Sequence, residues 1–206
     1  MRKIIPKEKY KILKKLNTPT KVQDFLNKME MNFEENGDTV LSPMTVLEKG
    51  TCHCIEAAVL AALALRVHGH PPLVIDLTAN DNDYDHVVAV FKKDGKWGAI
   101  SKTNHAVLRY REPVYNTIRE LALSYFHEYT NNKDGKKTLR SYTRAVNLKR
   151  FDRLGWMTTK EEIDYIPEYL ADIKHVPILT RKQIRNLRKL DEIEITAGKI
   201  TEWKQL

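Results

Sequence analysis

Two residues of this chain are of the types that nucleophilic chemistry needs, Cys54 and His86. Cys54 closes Gly50-Thr-Cys-His-Cys54, directly ahead of an alanine- and leucine-rich run that reaches Arg66. That run reads as a helix, which puts the thiol in its first turn, where the positive end of the helix dipole favours thiolate. His86 opens His86-Val-Val-Ala-Val-Phe91, an apolar and β-branched run that reads as a strand. An imidazole alongside a thiol at a helix start would complete the thiolate–imidazolium pair of a cysteine nucleophile. Each residue also has a plainer reading, a small inert core cysteine and a satisfied histidine at a strand edge.

The surrounding elements decide whether the two can meet. Residues 7–16 and 20–34 read as amphipathic helices, with Leu26, Met29 and Phe33 at core spacing. Residues 38–51 read as a loop, and the helix over 55–68 is stopped by Gly69 and Pro71-Pro72. Three strand-like runs follow, over 73–78, 86–93 and 97–101, the last two joined by an Asp94-Gly95 hairpin turn. Residues 114–129 return to helix, 139–148 read as a further strand, and 160–173 and 181–190 as helices. Helices before and after an antiparallel sheet make an α+β chain. Antiparallel pairing across the hairpin returns Ser101, fifteen residues after His86, to the histidine's edge, followed by Lys102, Thr103 and Asn104. A polar residue there can hold the imidazole in one tautomer, the task of a triad's third member.

These residues resemble the transglutaminase-like superfamily of cysteine acyl-transfer enzymes, in the papain-like fold group, over about 50–104. The superfamily's helix pattern maps onto Cys54, Ala58, Arg66, Gly69 and Pro71, and selects Cys54 over Cys52. Its histidine strand maps onto His86–Phe91, and its Gly-x-Trp strand onto Gly95-Lys96-Trp97. The resemblance implies a central cysteine-bearing helix packed on an antiparallel sheet with flanking helices, and acyl transfer on a peptide or protein amide by hydrolysis or transamidation, with no cofactor. It makes Cys54 the nucleophile and His86 its base, with Trp97 either core or a wall of the substrate site. Where the superfamily carries an orienting aspartate, this chain has Ser101; Asn104 is the alternative orienter. If Ser101 holds that place, replacing it with aspartate is expected to charge His86 more readily and raise thiolate formation.

Two other readings compete. Cys52-His-Cys54 and His68-Gly-His70 look like metal-ligand pairs. Fourteen helical residues separate them by roughly 20 Å at ~1.5 Å each, so they cannot share an ion and no metal site is expected. A non-catalytic binding module would keep the fold and use the cleft, or the basic stretch from Lys133 to Arg153, for an anionic partner. In that stretch eight Lys and Arg face only Asp134 and Asp152. A solvated face explains it more simply, because aromatic residues are sparse there, and a nucleic-acid partner is not expected.

Composition sets the outer limits. The 206 residues are 42% hydrophobic and 30% charged with a net charge of +8, the balance of one globular domain with helical extensions around a core over about 40–110. No apolar run reaches the length of a membrane span, and the basic start lacks the apolar stretch of a secretory signal. Two cysteines one residue apart make no disulfide framework, which points to the reducing cytoplasm. His53 and Glu56 read as polar residues of the helix's first turn.

Overall fold

The computed structural model describes residues 4–35 and 37–203. The chain forms a mixed α+β fold around a mainly antiparallel sheet. Helices α1 (Lys7–Lys15), α2 (Pro19–Asn27) and α3 (Pro43–Lys49) precede the long helix α4 (Cys54–Val67). The sheet is built from β3 (Leu73–Thr78), β4 (His86–Lys93), β5 (Lys96–Ile100), β6 (Arg111–Tyr115), β7 (Ser141–Thr143) and β9 (His175–Pro177), in the order β6-β5-β4-β3-β7-β9. A short β8 (Val146–Asn147) also pairs with β3. Separately, β1 (Glu30–Met31) runs parallel to β2 (Thr51–Cys52).

Alternation along β3 and β4 divides the core in two. Val74, Val87, Ala89 and Phe91 face one cluster, which contains α4, while Ile75, Leu77, Val88 and Val90 face the other. The second cluster is closed by Leu121, Ala122, Tyr125 and Tyr129, from α5 (Ile118–Ser124) and the turns after it. Every residue of α4 from Ile55 to Leu65 is buried, as expected of a helix that is apolar all round. Its five alanines let neighbouring backbones approach closely. The hairpin between β4 and β5 turns on Asp94 and Gly95, at φ of 50° and 77°, the left-handed pair that matches strand twist. Arg66, near the end of α4, holds Asp152 through both guanidinium nitrogens at 2.5 and 2.7 Å. That contact ties the helix to the 3-10 helix Leu148–Leu154.

Several sequence expectations are corrected. The helix expected over 20–34 ends at Asn27, because Glu30 and Met31 pair with Thr51 and Cys52 instead. Within the expected loop over 38–51, Ser42 caps and Pro43 opens α3, a start signal that is plain once seen. The helix expected over 114–129 begins only at Ile118, capped by Thr117, and Arg111–Tyr115 are strand. The strand expected over 139–148 breaks into β7 and β8, and the late helices shrink to α6 (Tyr165–Asp172) and α7 (Arg181–Arg185). A further helix, α8 (Glu192–Gly198), opens at Asp191 and Glu194. Among the described residues, no helix is long and apolar enough to cross a membrane.

Candidate active site

Cys54 is the first residue of α4 and as a residue is half-buried. The first bond within the helix runs from the Ala57 N–H to the His53 carbonyl at 3.0 Å. The N–H groups of Cys54 and Ile55 therefore lie ahead of the helix ladder, where no carbonyl one turn back is present to accept them. Burial alone would push the Cys54 thiol up. Hydrogen bonds and charge from His53 and His86 outweigh it and bring the thiol down from 9.0 to about 5.

The two imidazoles are held in different ways. The ring of His86 is buried at the start of β4, with Nε2 2.8 Å from Oγ of Ser101. The Ser101 hydroxyl gives its own proton to the Leu108 carbonyl at 2.5 Å. Its oxygen is then free only to accept, so the His86 proton lies on Nε2 and Nδ1 is the nitrogen left for the thiol. Ser101 is itself held by Gln23 on α2. The Gln23 amide donates to the Ser101 carbonyl at 2.7 Å and accepts from the Ser101 N–H at 2.9 Å.

His53 precedes Cys54 in the chain. Its Nε2 donates to the Thr39 carbonyl at 2.7 Å, with Oε1 of Glu34 at 3.4 Å and Oε1 of Glu56 at 3.6 Å. Burial would lower its pKa. The Cys54 sulfur, the Glu56 charge and the Thr39 carbonyl reverse that and raise it from 6.5 to about 9. Glu56 is fully buried and serves as the anchor of this corner. Its carboxylate accepts from the N–H of His53 at 3.0 Å, the N–H of Leu41 at 3.1 Å, the Thr39 hydroxyl at 3.1 Å and the Asn32 amide at 3.1 Å. Reading His53 and Glu56 as ordinary first-turn residues missed this. The signal was present in their spacing, since a glutamate three residues after a helix cap reaches back to the cap's N–H.

Other candidates sit elsewhere. Asn104 does not orient His86, because both ends of its amide pair with the Trp203 backbone, at 2.8 and 2.9 Å. Trp97 pairs with Lys92, whose ammonium lies 4.7 Å from the ring centre. Lys92 is six residues along β4 from His86, roughly 20 Å at ~3.4 Å each, so Trp97 walls no site around Cys54. Cys52 is fully buried against Met29, and burial pushes its thiol up to about 12. His68 donates through Nε2 to the Leu13 carbonyl on α1 at 3.0 Å, at the opposite end of α4 from Cys54.

One acid near the site was not foreseen. Asp76 on β3 is buried, with Oδ2 accepting from the Thr78 hydroxyl at 2.9 Å and Oδ1 without a hydrogen-bond partner. Burial, the neighbouring Asp85 charge and a smaller contribution from Cys54 raise it to about 7.

Among known protein families none matches this chain, and no curated protein matches it either.

Proposed function

We propose that the chain is a cysteine-dependent acyl-transfer enzyme acting on an amide, with a fold of the papain-like, transglutaminase-like group. The observation that carries this reading is the placement of Cys54 as the first residue of α4 with the His53 and His86 side chains both hydrogen-bonded to its sulfur, an arrangement that favours thiolate. The Cys54 thiolate attacks the amide carbonyl, forming a carbon–sulfur bond, and the carbon–nitrogen bond breaks. The leaving amine takes a proton from the imidazole pair through His86, whose Nδ1 is the nitrogen that Ser101 leaves unused. Water, or a second amine, then attacks the thioester, gives its proton back to the same pair and releases the thiolate. The N–H groups of Cys54 and Ile55 are the natural donors to the oxyanion. Ser101 is a positioning residue that fixes the His86 tautomer.

Ser101 supplies no negative charge, which is what a binding module descended from such an enzyme would also show. The two readings separate on a panel of peptide p-nitroanilides. Acyl transfer predicts nitroaniline release that is abolished in both Cys54→Ala and His86→Ala. Release that survives Cys54→Ala overturns the role of Cys54, and no release with any member favours the binding module.

A further inference from the structure

A concave feature lies outside the Cys54 site. Lys136, Lys137 and Arg140, ahead of β7, and Arg185, Arg188 and Lys189, at and after α7, line one cavity of about 190 Å³. Two of the six are neutralised locally, Lys136 by Asp134 at 2.7 Å and Arg188 by Asp191 at 2.6 Å. Among the described residues, Lys137, Arg140, Arg185 and Lys189 have no carboxylate within ion-pair distance. The Arg140 side chain is partly desolvated, which holds its pKa below the ordinary arginine value, and one of its nitrogens is tied to the carbonyls of Lys137 and Leu139.

Holding four unpaired cations around one concavity is unfavourable by itself, since like charges repel more strongly as the solvent between them is reduced. The fold brings them there from two segments about fifty residues apart, 136–140 and 185–189. The space is below the ~300–1,000 Å³ of clefts that take drug-sized ligands, and it corresponds to roughly six water molecules at ~30 Å³ each. It suits a compact, highly charged group. Guanidinium forks match phosphate oxygens in geometry as well as charge.

We propose that this cavity binds a ligand with closely spaced phosphates, a di- or triphosphate group, either free or borne by a nucleotide. The proposal stands independently of the chemistry at Cys54.

Titration calorimetry of the full chain with inorganic pyrophosphate tests it, with inorganic phosphate as the comparator. Saturable binding of pyrophosphate is expected, about tenfold tighter than phosphate, because more oxygens reach the four unpaired cations. Arg185→Glu with Lys189→Glu is expected to weaken binding by about tenfold or more, and Arg185→Gln with Lys189→Gln in the same direction. The matched charge change on α1, Lys14→Glu with Lys15→Glu, is expected to change it by less than about twofold, the effect of a distant screened charge. A nucleoside 5′-diphosphate that displaces pyrophosphate assigns the group to a nucleotide, and one that does not assigns it to the free anion. Absence of saturable binding overturns the proposal, as does equal weakening by the α1 pair.

Discussion

His86 and Ser101 meet at 2.8 Å, and the direction of that hydrogen bond is set by a third group, the Leu108 carbonyl that takes the serine's proton at 2.5 Å. This reverses the expectation for aspartate at this position. A carboxylate would meet the Leu108 oxygen with no proton to share, so Ser101→Asp is expected to destabilise the fold and detach the ring instead of charging it. Ser101→Ala leaves the buried His86 N–H and the Leu108 carbonyl short of a partner, at a cost of about 1–3 kcal/mol. Thermal melting with Cys54 alkylation on both variants checks this. An aspartate variant that is as stable as the parent and more reactive would contradict it.

Gln23 is remote from Cys54 and yet is expected to affect it. Gln23→Ala removes both ends of the clamp on the Ser101 backbone, at about 1–3 kcal/mol of stability for the buried groups left unpaired. The readout that separates positioning from simple destabilisation is the pH at which Cys54 becomes reactive. That midpoint is expected to rise in Gln23→Ala well below its melting temperature, whereas a purely structural role would leave it in place.

The role of His53 gives a two-limbed pH dependence. The Cys54 thiol, brought down to about 5, is expected to lose its thiolate as pH falls through that value. His53, raised to about 9, is expected to lose its proton as pH rises through that one. Turnover should therefore be bell-shaped, its limbs belonging to the coupled set of groups and not to single residues. His53→Ala is expected to lift the acid limb toward the ordinary thiol range. An unchanged acid limb in that variant would remove His53 from the account.

Asp76 bears on stability. Its folded pKa is raised to about 7 from 3.8, so between those values the folded state keeps a proton that the unfolded state releases. Stability from this group therefore falls as pH rises across that window. Asp76→Asn removes the ionisation, and its Tm is expected to fall less than the parent's between pH 4 and pH 8. Equal losses would mean that Asp76 ionises normally.

The parts of the fold legible in the sequence were those with strong local signals. The apolar run of α4, the Asp94-Gly95 turn and the alternation in β4 gave the helix, the hairpin and the edge to which Ser101 returns. What escaped notice depended on partners distant in sequence. Residues 30–31 become strand only because Thr51 and Cys52 lie beside them, and Pro113 sits on an edge strand where its missing N–H costs little. The same division runs through the site. Cys54, His86 and Ser101 follow from spacing along one helix and one hairpin, whereas Gln23 and Thr39 reach the site from other elements and Asp76 from a neighbouring strand. Asn104 seemed equivalent to Ser101 by proximity in the chain, and only the 201–203 segment that engages it shows why it turns away.

The pH dependence of Cys54 alkylation, followed by mass spectrometry on the intact protein, tests the central claim most directly. A single adduct is expected, on Cys54, because Cys52 is buried with its thiol pushed up to about 12. Cys52→Ala should keep that adduct and Cys54→Ala should lose it. The rate is predicted to reach half its plateau near pH 5, the signature of a thiolate held by imidazole. A midpoint near the ordinary thiol value of 9.0, or equal labelling of the two cysteines, would contradict the account.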